Sequence, residues 1–233
     1  MSCEAVEREW GAVSVGFLEE VADGEEGSRL TSGTGQQQPD LRALVGQTID
    51  RLRSDGVTPG IEVGDRAPSF ALADAYGGKV ALDDRLAAGP VVLSFYRGAW
   101  RPICNTELTG LHETLGRIQE LGASLLAVSP QAPDASQTLV QRLGLGYDVL
   151  SDHGQAVIRA YRLQFELPPE LRAAYRHMGM ALDEHNADGS WNLPVPATFV
   201  LDRAGNVRAR HVDPNYRDRM SGDAILAALA DSR

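Results

Sequence analysis

The sequence predicts an α/β protein, a three-layer sandwich around a mixed central β-sheet, with a helical N-terminal extension over residues 1–60. Three observations carry this. From Phe70 onward, short apolar, β-branched runs alternate with stretches whose apolar residues recur at steps of three and four. The last two runs are joined by the turn Asp202-Arg203-Ala204-Gly205-Asn206, which makes them an antiparallel pair. Ahead of all of them, two apolar-periodic stretches flank a Gly/Ser/Thr/Gln-rich linker from Gly24 to Gln38.

In the extension, Trp10, Val13, Val15, Phe17, Leu18 and Val21 mark a weakly periodic first stretch. Leu41, Leu44, Val45, Ile49 and Leu52 predict a second helix over 41–54. These apolar stripes have to pack on the main domain, residues 61–233, or on another subunit, so a homodimer is among the expectations. The main domain opens with a hairpin, 70–73 against 79–82, across Tyr76-Gly77-Gly78. A strand over 91–96 follows, with the run of apolar residues expected in the middle of a sheet. Then come a helix from Pro102 with Leu108, Leu111, Leu115, Ile118 and Leu121 on one face, a strand over 124–129, a helix over 134–143, a strand over 148–150 and a helix over 155–162. The final strands span 198–201 and 207–212, and a last helix covers 222–230. Residues 163–193 form an insertion whose Pro168-Pro169, Trp191 and histidines suggest a cover over the functional site.

Composition narrows the function. A net charge of −10 over 233 residues argues against nucleic acid or anionic lipid as a main partner, because both select basic surface. Lys79 is the only lysine, which leaves almost no candidate for Schiff-base chemistry. Two cysteines, Cys3 and Cys104, build no disulfide scaffold. No signal segment opens the sequence and no apolar run approaches the roughly 18 residues of a membrane span, so a reducing cytoplasm is the expected setting. The five histidines show no metal-ligand spacing, so no metal and no cofactor are expected.

The chemistry concentrates at 94–104, where a strand runs into a Gly/Trp/Pro turn that delivers Cys104 to a helix start. Unpaired N–H groups and the macrodipole favour a thiolate at such a place, and the thiolate is the nucleophile. Pro102 suits the first helical turn, and Glu107 adds an acid near the positive end of the helix. The expectation is therefore a reachable, ionised sulfur, with the backbone N–H groups of Ile103 and Cys104 as donors to a departing oxygen.

Phe95-Tyr96, Trp100 and Cys104-Asn105-Thr106-Glu107 together resemble the active-site segment of the peroxiredoxins, most closely the peroxiredoxin-like branch of the alkyl hydroperoxide reductase and thiol-specific antioxidant (AhpC/TSA) superfamily. The resemblance extends through Val63-Gly64-Asp65-Arg66-Ala67-Pro68-Ser69-Phe70, 194–202 and His211-Val212-Asp213-Pro214, about residues 60–230. It implies a thioredoxin-like fold, Cys104 as the peroxidatic cysteine, a hydroperoxide substrate and an external thiol, protein or small molecule, as reductant. In that branch the turn usually reads Trp-Cys-Pro-x-Cys; here Arg101 occupies the first thiol's place. Arg101 either takes over from the family arginine or points to solvent, and Arg97 either adds positive charge or pairs with an acid. Trp100 is expected to shield the thiol, and Tyr96 to pack behind it. Val195-Pro196, where the family arginine usually lies, looks like thioredoxin and leads to the expectation of a cis bond beside Cys104. Cys3 is a possible resolving thiol. The leading reading is a thiol peroxidase acting through a Cys104 sulfenic acid; the rivals are a monothiol thiol-disulfide oxidoreductase and a degenerate, non-catalytic binding module.

Overall fold

The computed structural model describes residues 40–56 and 58–231. The first predicted stretch, the linker and Cys3 lie outside the described residues. Among the described residues, no helix is long and apolar enough to cross a membrane.

Seven strands form the central sheet. β1 (Ala71–Asp74), β2 (Lys79–Ala81), β3 (Val91–Phe95), β4 (Ser124–Ser129), β5 (Asp148–Ser151), β8 (Ala197–Leu201) and β9 (Val207–Val212) lie in the order β2-β1-β5-β4-β3-β8-β9. The β3–β4 and β4–β5 pairs are parallel, and the others are antiparallel, so the sheet is mixed as predicted. β3 is buried at every residue because it lies centrally with helices on both faces. Its side chains alternate. Val91, Leu93 and Phe95 join the core beneath α2 (Leu82–Ala88) and α5 (Ala156–Ala160), whereas Val92 faces α3 (Pro102–Glu120) and α8 (Gly222–Ala230). α4 (Pro133–Leu143) completes the layer on the α3 side. These are the three predicted layers.

Local chemistry sets the helix limits. Pro102 and Pro133 stand in the first turns of α3 and α4, where a missing N–H costs nothing. The Ser221 hydroxyl accepts from Ala224 N–H at 3.2 Å and caps α8. Gly89 leaves α2 in close approach to another turn: a Cβ there would stand 2.0 Å from the Gly122 carbonyl oxygen.

The insertion is ordered around its own core. β6 (Gln164–Glu166) pairs with β7 (Asn192–Pro194), and α6 (Pro169–His177) and α7 (Leu182–His185) lie between them in the chain. Phe165, Leu167, Leu171, Tyr175, Leu182, Trp191, Leu193 and Val195 form this core. The second helix of the extension is α1 (Leu41–Asp55), started by Asp40 and ended by left-handed Gly56. Leu41, Leu44, Val45 and Leu52 pack on the insertion core, which accounts for its apolar stripe.

Candidate functional site

β3 ends at Phe95, which pairs with Ala197 of antiparallel β8, so Tyr96 and Pro196 lie level at one end of the sheet. From there the chain turns through Arg97–Arg101 into α3. Gly98 takes φ 149, and Arg101 N–H donates to Gly98 C=O at 3.3 Å. Two side chains hold the loop: Ala99 N–H donates to Gln131 Oε1 at 2.6 Å, and Asn105 Nδ2 donates to Ala99 C=O at 3.1 Å.

Cys104 sits in the first turn of α3 as predicted, but it is not reachable. Its exposure is 0 %, within a cluster that includes Tyr96, Leu108, Ala127, Leu139 and Val140. The physical reason is helical period. Cys104 stands one turn before Leu108 and belongs to the same inward stripe as Leu108, Leu111, Leu115 and Ile118. Its N–H is also engaged, donating to Arg101 C=O at 3.0 Å, and is no free donor for an oxygen in this conformation. Ile103 is half-buried against the same cluster. Tyr96 is fully buried behind Cys104, and burial pushes its phenol pKa up, so it stands neutral.

The insertion covers the loop from the other side. Trp100 packs on its core and stacks on the His185 ring, centroids 6.2 Å apart with planes 18° from parallel. Arg101 is half-buried rather than pointing to solvent. Its Nη1 donates to Tyr175 Oη at 3.3 Å, and its guanidinium lies 4.0 Å from the Tyr216 ring centre and 5.5 Å from that of Trp100. Burial acts to lower its pKa, but the Tyr175 and Tyr216 phenols and Cys104 outweigh that, so the net direction is up.

Arg97 makes no ion pair with an acid among the described residues. It is 6 % exposed, donates from Nε to Pro194 C=O at 3.2 Å and lies 5.2 Å from the Phe165 ring centre and 5.4 Å from that of Tyr216. Burial, followed by repulsion from Arg101, pushes its pKa down to about 9, which still leaves it cationic at neutral pH. Arg219 is the third cation of the region and is paired: its Nε donates to Glu107 Oε2 at 2.7 Å, with both side chains nearly buried. Burial pushes the Glu107 carboxyl up and Arg219 pulls it down, with burial prevailing.

Val195 and Pro196 are buried where β7 passes into β8. The Val195–Pro196 bond is trans, contrary to the cis expectation. Val195 N–H donates to Leu163 C=O at 2.8 Å and the chain runs extended from one ladder to the next, with no tight turn to select the rarer isomer. Sequence reasoning missed Tyr175, Tyr216 and the Arg219–Glu107 pair. Tyr216 follows the His211–Pro214 motif by two residues, but nothing in its spacing announces a ring shared by the guanidinium groups of Arg97, Arg101 and Arg217.

A mixed sheet in this strand order, with helices on both faces and a cysteine in the first turn of α3, defines the thioredoxin-like fold. The chain belongs to the AhpC/TSA family, whose family model matches residues 63–210. Among curated relatives, a thiol-disulfide oxidoreductase ResA from Bacillus thuringiensis is 24% identical over 163 residues, 70% of this chain and 76% of that protein. A putative peroxiredoxin bcp from Coxiella burnetii is 27% identical over 149 residues, 64% of this chain and 87% of that protein. The crystal structure of peroxidoxin BcpB from Mycobacterium tuberculosis superposes with a TM-score of 0.59 at 24% identity, covering 74% of this chain and 99% of that one, and supports the fold. Thiol-based redox chemistry is thus the role of the family.

Proposed function

We propose that this chain is a thiol peroxidase acting through Cys104. The observation that carries the reading is the pair of cations, Arg97 and Arg101, on the loop that leads into the helix start holding the family's cysteine, with Arg101 at the N-cap and its carbonyl accepting from Cys104 N–H at 3.0 Å. The Cys104 thiolate attacks one oxygen of a hydroperoxide. The S–O bond forms as the O–O bond breaks, the departing oxygen leaves as alcohol or water after taking one proton, and sulfur is oxidised to sulfenic acid. Arg97 and Arg101 stabilise the negative charge that moves from sulfur to oxygen. Arg101, standing where the related motif carries a first cysteine, then contributes charge instead of a resolving thiol. An external thiol reduces the sulfenic acid, and a reducing cytoplasm supplies it.

The closed thiol sets a condition. Peroxide reaches sulfur only when the 97–101 loop and the first turn of α3 open locally, a motion open to a frayed helix end. Trp100 and Ile103 stand on the side that opens, with Tyr96 behind the sulfur and Val195 and Pro196 at the sheet end. Stopped-flow fluorescence of the reduced protein mixed with hydrogen peroxide tests the reading. A single rapid phase that disappears in Cys104→Ser supports it; peroxide consumption equal in the two proteins refutes it. Monothiol exchange is the second reading, favoured by the ResA similarity, and predicts instead that Cys104 removes glutathione from a glutathionylated protein faster than it consumes peroxide.

A further inference from the structure

We propose that Arg97, Arg101, Tyr175 and Tyr216 form a subsite for an anion, and that its occupant is the carboxylate of a low-molecular-weight thiol that reduces oxidised Cys104. The proposal rests on the peroxidase reading and names the chemical class of its second substrate.

Buried cations are as a rule paired with an acid or a bound anion. Arg219 has Glu107. Among the described residues Arg97 is the only buried arginine; it has a carbonyl and two ring faces but no carboxylate, and Arg101 beside it has only the Tyr175 hydroxyl and ring faces. Arg97 lines a cavity of about 20 Å³ together with Phe165, Tyr175 and Tyr216, closed on one side by Val45 and Thr48 of α1, and Arg101 stands outside the lining but against two of its walls, Tyr175 and Tyr216. That space holds about one or two waters, the size of a carboxylate head. An anion placed there meets a guanidinium fork in an otherwise uncharged wall of aromatic and aliphatic side chains, the setting in which charge-assisted hydrogen bonds are strongest.

Charge decides which substrate brings the anion. With Cys104 as thiolate, two guanidinium groups face one negative charge and the site keeps one positive charge. Once sulfur is a neutral sulfenic acid, both positive charges are uncompensated. An anion is therefore held most strongly after oxidation, when the reductant is due and the peroxide has left.

The chemistry balances without another reagent. The bound thiol attacks the sulfenic sulfur, an S–S bond forms, the S–O bond breaks and water leaves with the thiol proton. A second molecule of the same thiol attacks the mixed disulfide, forms the small-molecule disulfide and returns Cys104 to the thiol.

The test oxidises the full chain with one equivalent of hydrogen peroxide and mixes it with 3-mercaptopropionate, 2-mercaptoethanol or cysteamine, which are anionic, neutral and cationic, each rate being corrected for its thiolate fraction. The expected result is reduction about ten-fold faster by the anionic thiol than by the neutral one, slowest with the cationic one, and a preference that shrinks as salt rises. Arg97→Gln and, separately, the less buried Arg101→Gln are expected to bring the anionic-to-neutral ratio to about two-fold or less, whatever their absolute rates. Sulfenic acid that forms normally but is reduced without regard to charge in wild type overturns the subsite alone. If no sulfenic acid forms, the peroxidase reading fails, and the subsite is judged by propionate titration of the reduced protein: saturable protection against thermal unfolding that Arg101→Gln abolishes upholds it, and no protection overturns it.

Discussion

Tyr216→Leu tests the aromatic side of the site. The substitution removes the ring that faces Arg101 at 4.0 Å, Arg97 at 5.4 Å and Arg217 at 5.7 Å while keeping an apolar side chain. A cation over a ring contributes about 0.5–1 kcal/mol when exposed and about 2 kcal/mol when desolvated. Arg97 is buried and takes the upper figure; half-buried Arg101 and exposed Arg217 take the lower. Together they give a loss of about 3–4 kcal/mol, to which leucine returns only dispersion. At a urea dependence of about 2 kcal/mol per molar, the unfolding midpoint falls by roughly 1.5–2 M. Tyr216→Phe keeps the ring face and is expected to stay within about 1 kcal/mol of wild type, the value of a typical lost hydroxyl interaction. Equilibrium urea unfolding of the three proteins, followed by tryptophan fluorescence, reads both numbers. Leucine and phenylalanine variants of equal stability refute the claim that the guanidinium groups are held by the ring.

Arg219→Met strips the counter-ion from Glu107, whose side chain is 7 % exposed, and is expected to cost about 3–5 kcal/mol at pH 7. Burial already pushes the Glu107 pKa up and Arg219 opposes it, so the variant's carboxyl titrates higher still. Above its ordinary range the unfolded carboxyl is ionised while the folded one retains its proton, so the native state binds more protons and the variant gains stability as pH falls toward that range. Urea midpoints at pH 5 and pH 7 check this, and a loss independent of pH contradicts it. In Gly89→Ala the new methyl meets the Gly122 carbonyl oxygen at 2.0 Å, a backbone atom that has no rotamer to yield, and a loss of about 3 kcal/mol or more by thermal unfolding is expected. In Gly98→Ala the methyl lands 2.4 Å from Trp100 Nε1 at a backbone φ of 149°, which displaces the indole from its seat on His185. Iodoacetamide is expected to label Cys104 in the folded variant several-fold faster than in wild type, and equal rates would show that Trp100 is no part of the cover.

Much of the fold was legible because its signals are local. β-Branched runs, prolines at helix starts and turn residues placed every strand of the main sheet and most of the helices between them within a few residues, but α2 was missed, its first residue Leu82 having been read as the end of a strand. The insertion's role over the cysteine loop was readable from its aromatic and proline content, although its own strands β6 and β7 were not. The site was legible only in part. The sequence located Cys104 in the first turn of a helix, yet the same stripe that predicted the apolar face of α3 extends back through Cys104, and that period, given its due weight, predicts a covered sulfur. Arg97 and Arg101 were identified as the cations of the loop, but their partners could not be. Tyr175 and Tyr216 come from elements 70 and more residues away, and such long-range pairing leaves no mark on spacing. The trans Val195–Pro196 bond corrects an expectation taken from thioredoxin resemblance rather than from any local signal in this chain.

The central claim is that Cys104 is the sulfur that meets peroxide, despite its closure. One equivalent of hydrogen peroxide is added to the reduced full chain in the presence of a 1,3-diketone that traps sulfenic acid, and the peptides are read by mass spectrometry. The diketone adduct on Cys104, absent from Cys104→Ser, is the predicted result; an unmodified Cys104 after the peroxide has been consumed contradicts it.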